Sequence, residues 1–303
     1  MGSACRNCGF RGGRRDRLLP WRTLVQGGIS QRIAIGGSAG GGTPRPMDYP
    51  EPLIEGLLVR RYQRFLADVE LSDGRTITAH TPNTGSMKGC SEPGSRVWLR
   101  DTANPRRKYV LAWELVETSS GVLVGINTGL PSRLVAESIR EGLITELQGY
   151  DTLLAEVPYG LERSRVDLLL KTKGGGCCYV EVKNVTLVEG RTALFPDAVS
   201  ARGTKHLREL AAMAEAGHRA VIFFCVQRAD ATELRPADTI DPRYGHALRQ
   251  ALARGVEALA YDARISPQTV ALRGPLPVVC PSHEGRTGAP RGRELGVSRG
   301  CQP

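Results

Sequence analysis

The hydrophobic pattern divides the chain into a β-rich part and a later part that mixes helices and strands. From residue 53 to about 129, short runs of alternating apolar and polar residues are separated by Gly, Pro and Ser-Asp turns. These runs are LIEGLLVRRY, FLADVEL, RTITAH, RVWLR, YVLAWELVE and GVLVGINT. Short strands at this spacing are typical of a small barrel or sandwich. Their number fits a partly open five-stranded barrel of the oligonucleotide-binding (OB) type.

The second half predicts the order α-β-β-β-α-β-α-β. Residues 132–148 predict a helix with Ser132 as its N-cap. TLLAEVP, RVDLLLK and CCYVEVKN predict three strands, and residues 200–217 predict a helix that ends at Gly217. A buried strand, a third helix and a last strand follow. The predicted fold is therefore an OB-like β-barrel at 47–130 followed by a mixed α/β domain at 131–280.

Both ends of the chain lack this patterning. Residues 1–46 and 281–303 are rich in Gly and Arg, a composition that buries too little apolar surface to order a chain, so we predict disorder in both. Organised patterning begins at Met47. We interpret Met47 as the true start and the preceding residues as an upstream extension; an organelle transit peptide is the alternative for an Arg-rich, acid-poor leader.

The formal charge of +10 is unevenly distributed. Residues 1–46 hold eight Arg and one acid, and residues 281–303 hold four Arg and two Glu. Residues 47–280 are therefore close to neutral, and a nucleic-acid site there must be a local basic patch. No apolar run approaches the roughly 18 residues that span a bilayer, so we expect no membrane partner.

The eight cysteines are scattered along the chain, and no apolar signal segment precedes them. This usage predicts reduced thiols in a cytoplasmic protein. Cys5 and Cys8 have the spacing of half a zinc site, but no second CxxC and no spaced His pair completes it. We therefore do not predict structural zinc.

Residues 179–184, YVEVKN, alternate valine with charged residues. In a strand, Glu181 and Lys183 share one face, and a solvated face is the ordinary interpretation. Asp167, however, lies inside the apolar run RVDLLL, where a charge is costly without a partner. The Gly-rich segment between these runs predicts an antiparallel hairpin. Because 167 and 181 are symmetric about Gly174, we expect their side chains to oppose each other with Cβ atoms about 5 Å apart.

Two carboxylates at that separation repel each other unless a cation lies between them. Their oxygens suit Mg²⁺ or Mn²⁺, which bind through one or two carboxylates together with water and phosphate oxygens. Lys183 lies where it can orient the attacking water or screen developing charge. Asp167, Glu181 and Lys183 thus form a minimal phosphodiester-cleaving centre. The alternative is a structural ion pair in which Lys183 neutralises both acids.

Two groups of basic residues are candidates for nucleic-acid binding. In the barrel, the arginines and Lys108 lie next to Tyr62, Phe65 and Tyr109, as in barrels that bind single strands; a charged strand edge is the alternative. Lys88 lies in the loop at 82–90, which either presents backbone N–H groups and this lysine to phosphate or merely turns the chain. On the later helix, they share one face, and a solvated cationic face is the alternative. His206 is also a candidate general acid. The candidates are Arg60, Arg61, Arg64, Lys88, Arg106, Arg107 and Lys108 in the barrel and Arg202, Lys205 and His206 on the helix.

The segments RYQRFLADV, HTPNTGSMKGC, ERSRVDLLL, YVEVKNVTL, FPDAVSARGTKHLREL, RAVIFFCV and LPVV resemble, in this order and spacing, the SfsA (sugar fermentation stimulation protein A) family over about residues 47–280. The resemblance implies an OB-like barrel, a PD-(D/E)XK nuclease-like domain and DNA binding. It places Asp167, Glu181 and Lys183 at the superfamily's acidic and lysine positions. A glutamate from the first helix often joins them, and Glu137 is the matching candidate, although it lies at the polar edge of its helix.

Together, the residues and the resemblance predict a cytoplasmic DNA-binding protein with an Mg²⁺- or Mn²⁺-dependent nuclease centre. Asp167, Glu181 and Glu137 are the predicted metal ligands. The alternative is a non-catalytic DNA-binding regulator of sugar-metabolism genes that uses the same fold. RNA stays open as a partner because such a centre does not distinguish one phosphodiester from another.

Overall fold

The computed structural model describes residues 33–34, 45–160 and 164–281. Most of the two extensions predicted to be disordered lies outside these residues, as do Cys5, Cys8 and Cys301. The described cysteines are free thiols. None of the described helices combines the length and the apolar character needed to cross a membrane.

The first domain is a barrel built from one six-stranded sheet. Two short strands precede it, Ile33–Ala34 (β1) and Met47–Asp48 (β2). A parallel contact between His80 and Ala112 joins the fifth and seventh strands and closes the sheet. Leu58, Val69 and Trp113 are among the fully or almost fully buried residues of its core. The strands are Ile54–Tyr62 (β3), Leu66–Leu71 (β4), Thr76–His80 (β5), Arg96–Asp101 (β6), Leu111–Glu117 (β7) and Leu123–Gly125 (β8).

The second domain is a mixed sheet with helices on both faces. Its helices are Pro131–Arg140 (α1), Ala201–Glu215 (α2) and Pro242–Ala253 (α3). Its strands are Thr152–Tyr159 (β9), Ser164–Lys171 (β10), Cys177–Val185 (β11), Leu187–Glu189 (β12), Thr192–Phe195 (β13), Arg219–Val226 (β14), Glu233–Pro236 (β15), Glu257–Ile265 (β16) and Thr269–Pro275 (β17). The large sheet has the order β1-β9-β10-β11-β14-β16-β17-β2, and β12, β13 and β15 form a small one. Parallel pairing joins β11, β14 and β16.

The central strand β14 separates two hydrophobic cores. Phe223 points into the core that α1 covers, and Phe224 points into the core that α2 and α3 cover. Both rings are fully buried. The alternation follows from the pleat, which sends successive side chains to opposite faces. Because β11 lies beside β14, helices cover both of its faces as well.

The first helix is shorter than its pattern predicts. It begins at Pro131, with Leu130 rather than Ser132 as N-cap, and ends at Arg140. A proline suits the first helical turn because its fixed φ is already helical and it lacks an N–H to satisfy. Gly142, with φ 78°, reverses the chain after the helix. Only a short 3₁₀ turn, Thr145–Leu147, follows within the predicted span.

The two shortest strands extend the edges of the large sheet. Ile33–Ala34 pairs with β9, and Met47–Asp48 pairs with β17. This corrects two expectations: disorder does not hold for residues 33–34, and residues 47–48 join the sheet of the second domain rather than the barrel. The physical reason is that β9 and β17 carry unpaired backbone groups at the sheet edge, which accept a further strand.

We expect Phe223→Ala to destabilise the second domain by about 3–5 kcal/mol, because the ring is fully buried and stacks on Tyr261 with 5.4 Å between centroids. Urea unfolding measures the effect. Phe65→Ala is the matched control, since that ring is 42% exposed and its loss should change stability by no more than about 0.5 kcal/mol. Equal losses in the two variants would contradict this description of the core.

Candidate metal and phosphate site

The β10–β11 hairpin has the register that its glycine turn predicts. Leu168 pairs with Val180 and Lys171 with Cys177, so positions 167 and 181 correspond across the strands. Asp167 lies at the end of the paired region, and its Oδ2 accepts a hydrogen bond from the backbone N–H of Val182 at 2.7 Å. The predicted juxtaposition of Asp167 and Glu181 is therefore confirmed.

Glu181 is buried on the face of β11 that α2 covers, and only 2% of the residue is exposed. Lys183 Nζ lies 2.7 Å from its Oε1, and His206 Nδ1 contacts the same oxygen. Its second oxygen, Oε2, is buried and has no hydrogen-bond partner among the described residues. The charged face of β11 is thus a buried polar cluster rather than a solvated surface.

The two carboxylates respond differently to this environment. Burial, reinforced by the negative charge of Glu181, raises the pKa of Asp167 to about 6. Burial also acts to raise the pKa of Glu181, but the hydrogen bond with His206 and the positive charge of Lys183 outweigh it, so this pKa is lowered. Glu181 is therefore ionised at neutral pH beside a second acid whose charge is unfavourable without a nearby cation.

The helical spacing of His206 is compatible with a solvated cationic face, but the structure does not place it on one. It is 4% exposed, and its Nδ1 is 3.3 Å from Lys183 Nζ. The reason is that α2 turns this residue toward β11 together with the buried Leu207. Arg202 and Lys205 keep more exposure on the same helix, and Arg202 Nε lies 3.4 Å from His206 Nε2.

A cavity of about 360 Å³ opens beside the carboxylates, between the two domains. Asp167, Glu181 and Lys183 form part of its wall, and Arg64 and Arg202 bring positive charge to it from the barrel and from α2. The barrel contributes the loop at 82–85 and the second domain the segment at 194–200. The candidate centre therefore lies at a domain junction.

Asp197 links the two domains at this junction through hydrogen bonds, and no sequence pattern singles it out. Its Oδ2 accepts hydrogen bonds from the backbone N–H of Met87, at 3.0 Å, and from Ser86 Oγ, at 3.2 Å. Gly85 lies so close that an added Cβ would be 2.7 Å from Asp197 Oδ2. An acid before an apolar pair in FPDAVS is a weak signal, because its partners lie about 110 residues away in the chain.

Several of the predicted basic residues form ion pairs or hydrogen bonds with other residues of the protein. Arg60 pairs with Asp68 at 2.8 Å, and Lys88 pairs with Glu189 at 2.8 Å. Arg61 donates to the carbonyl oxygens of residues 64, 83 and 85 and so holds the barrel loop in place. Strand pairing and loop closure bring acids and free carbonyl groups next to these basic residues. Sequence spacing alone does not reveal this proximity.

The other basic residues of the barrel lie elsewhere on its surface. Arg106, Arg107 and Lys108 are exposed, and Lys108 Nζ lies 5.3 Å from the centroid of the Tyr109 ring. Arg107 lines a separate cavity. The residues 106–108 therefore do not reach the wall formed by Asp167 and Glu181.

Glu137 is not brought to the other two acids. Its carboxylate pairs with Arg133 at 3.2 Å on the surface of α1 and stays 38% exposed. The helix packs on the face of the sheet that carries Val180 and Val182, opposite the face of Glu181. Within the part of the chain that the structure describes, no three His, Cys, Asp or Glu residues are grouped closely enough to hold a metal ion.

Two carboxylates nevertheless fit Mg²⁺ or Mn²⁺. These ions keep several waters and use only one or two protein carboxylates beside phosphate oxygens. Glu181 and Asp167 both line the cavity, and the buried Oε2 of Glu181 lacks a hydrogen-bond partner among the described residues. An unsatisfied buried carboxylate oxygen is costly unless a cation or donor meets it. The donor set is hard oxygen, as these ions prefer.

The fold and this junction define a class of two-domain proteins in which an OB-type barrel precedes a mixed α/β domain. Family models agree in both parts: "SfsA N-terminal OB domain" matches residues 59–126, and "Sugar fermentation stimulation protein RE domain" matches residues 129–269. The chain belongs to the SfsA family, and the predicted fold class is confirmed.

Individual relatives cover the same region. The sugar fermentation stimulation protein homolog of Geobacter metallireducens is 60% identical over 233 residues, which are 77% of this chain and 100% of the relative. The homolog of Pelobacter propionicus is 61% identical over 228 residues, 75% of this chain and 98% of the relative. A structure of Pyrococcus furiosus SfsA in complex with Ca²⁺ superposes with a TM-score of 0.70 at 29% identity, covering 77% of this chain and 98% of that one.

We expect Asp167→Asn to stabilise the metal-free protein at pH 8 by up to about 3 kcal/mol, since each unit of pKa shift corresponds to about 1.36 kcal/mol. A carboxyl whose pKa is raised from 3.8 to about 6 on folding costs stability once the pH exceeds about 4, and the full cost is present above 6. Asparagine removes that charge and keeps an acceptor for Val182. The gain at pH 5 should therefore be about half as large. Urea unfolding in EDTA at the two pH values measures it.

Asp101→Asn is the matched control, because the Asp101 carboxylate also accepts a backbone N–H bond, from Ala103, but is exposed. It should change stability little at either pH. A loss of stability in Asp167→Asn at pH 8, or a gain that does not depend on pH, would contradict the electrostatic description of the site.

Proposed function

We propose that this protein binds DNA and cleaves its phosphodiester bonds with Mg²⁺ or Mn²⁺ held by Asp167 and Glu181. The observation that carries the proposal is the buried Glu181 Oε2, which lacks a hydrogen-bond partner among the described residues and belongs to a side chain that lines the cavity together with Asp167. A buried acid pair of this kind is destabilising by itself and becomes favourable when a divalent cation is shared. The Ca²⁺ in the Pyrococcus furiosus SfsA structure, an ion that also prefers oxygen ligands, supports a divalent-ion site in the family.

The residues around the two acids have distinct proposed roles. When bound, the ion would lower the pKa of a water molecule and stabilise negative charge on the phosphate. Lys183, whose side chain is 12% exposed, holds a positive charge 2.7 Å from Glu181 and at the cavity wall, where it can orient water or screen a phosphate. His206, on helix α2, contacts the Glu181 carboxylate and keeps it in one orientation.

The surroundings of the cavity support a phosphate-bearing polymer as substrate. Arg64 and Arg202 approach it from the two domains, and arginine is well suited to phosphate because it donates several hydrogen bonds in one plane. The guanidinium of Arg64 is steadied by the carbonyl oxygen of Thr84, at 2.8 Å from Nη2. Phosphate contacts of this kind position a nucleic acid without reading its sequence.

A second candidate function is DNA binding without cleavage. The observation that favours it is that Glu181 Oε1 is already occupied by Lys183 and His206, while Glu137 stays on the far side of the sheet. A centre with two acids and one occupied oxygen can bind phosphate through its cations alone. This function suits a regulator of sugar-metabolism genes, in keeping with the name of the relatives.

We expect Mn²⁺ to bind to the full-length protein, and Asp167→Asn and Glu181→Gln each to weaken binding by at least about 100-fold, since losing a ligand costs more than losing one of its supporting contacts. Calorimetric titration with Mn²⁺ measures this. Glu137→Gln is the matched control, because this carboxylate pairs with Arg133 on the other face and its loss should leave the affinity unchanged.

Cleavage separates the two candidate functions. With Mn²⁺ and labelled duplex, branched and single-stranded DNA, the protein should cut at least one substrate, and Lys183→Met should slow cutting by about 100-fold while Mn²⁺ still binds. Absence of cutting on every substrate, with DNA binding unaffected by Asp167→Asn, would leave the binding function and overturn the nuclease.

A further inference from the structure

A second cavity, of about 490 Å³, lies beside the first at the domain junction. Pro82 lines both cavities. The segment that leaves the barrel runs between them: Thr128 lines the first cavity and donates to the carbonyl oxygen of Pro82 at 3.0 Å, while Asn127 and Gly129 line the second. The two cavities are therefore neighbours that share one lining residue, Pro82.

A third hollow, of about 280 Å³, continues from the second. His80 and Arg107 line both, and Lys108 and Tyr109 complete the outer one. Hollows that share residues in this way define a path, which we call the barrel path. It runs from Asp167 past Pro82 and His80 to Tyr109 on the barrel surface.

The barrel path carries a positively charged side chain that is available to a ligand. No hydrogen bond or ion pair is found for the Arg107 guanidinium within the described part of the chain. Two acids line the second cavity. Glu114 is satisfied by Arg100 at 2.9 Å and by Asn127 at 2.7 Å, and Asp48 is exposed. An unpaired guanidinium at the mouth of a groove is suited to a backbone phosphate.

Aromatic rings accompany this charge. Phe65 lines none of the three hollows, but its ring is 42% exposed and its centroid lies 6.3 Å from that of His80, which lines two of them. Burial, with the positive charge of Arg107, lowers the pKa of His80, so its ring is neutral at pH 7. Tyr109 presents a third ring, with Lys108 over one face. Rings next to cations are what proteins use to stack unpaired bases along a strand.

We propose that a single strand of DNA occupies the barrel path, with one phosphate at Asp167 and Glu181 and the following nucleotides over Pro82 toward Tyr109. The substrate class is therefore single-stranded DNA, or the single-stranded arm of a branched molecule. This inference rests on the proposed function for the site at its inner end. A duplex suits the path less well, because its bases are paired and stacked on each other and are not available to stack on these rings.

The test is DNA binding by the full-length protein in EDTA, measured by fluorescence anisotropy at several salt concentrations. We expect Arg107→Ala to weaken binding of a single-stranded oligonucleotide about tenfold and to lower the slope of log K against log salt by about 0.7, the value for one phosphate contact on a single strand. Binding of a blunt duplex of equal length should change less than about twofold.

Arg106→Ala is the matched control, because Arg106 is the exposed neighbour of Arg107 but lines none of the three hollows. Its effect on single-strand binding should stay within about twofold. Equal effects of the two substitutions, or an equal effect of Arg107→Ala on duplex and single strand, would overturn the barrel path.

The two proposals fail in different ways. EDTA removes divalent ions and so prevents cleavage. The difference in single-strand affinity between Arg106→Ala and Arg107→Ala therefore tests the barrel path independently of the nuclease. Conversely, cutting of a blunt duplex as fast as of a single-stranded arm in Mn²⁺ would overturn the barrel path while the nuclease remains.

Discussion

The burial of one carboxylate, that of Glu181, is the constraint on which the second domain depends. A charged group inside a central strand costs several kcal/mol unless other groups offset the loss of water. Lys183, on the same strand, and His206, on α2, satisfy one oxygen, and His206 can do so only if α2 packs against β11 in a single rotation. The other oxygen stays buried without a hydrogen-bond partner among the described residues. Helix placement and candidate chemistry therefore have one common cause.

The barrel is held against the second domain by hydrogen bonds next to the site. Asp197 binds the barrel loop, and Gln227 at the end of β14 donates to the backbone oxygen of Asn127 at 3.2 Å and to Asn184 Oδ1 at 2.6 Å. These contacts join the domains beside the carboxylates. Because these contacts are hydrogen bonds with defined directions, they position the barrel loop more strictly than apolar contact alone would. A strand of nucleic acid at the site would then touch both domains.

The family resemblance and the geometry agree on the hairpin acids and differ on what surrounds them. Asp167 and Glu181 lie together because one glycine turn joins their strands. Glu137 matches a motif position, but its helix covers the other face of the sheet. Arg60 and Arg61 match a basic, aromatic pattern but are used in strand pairing and loop closure. Motif positions are reliable here where the distance along the chain is short.

The sequence alone determined most of the long strands and helices and the hairpin register, because periodicity and turn chemistry are local and the symmetry of positions 167 and 181 about Gly174 fixes which residues oppose. Only the tertiary structure decided that His206 faces inward, that Glu137 faces away and that Asp197 joins the domains. Each of these depends on which helix face meets which sheet face across a long stretch of chain. Packing of the two cores sets that choice, and no short window of sequence contains it.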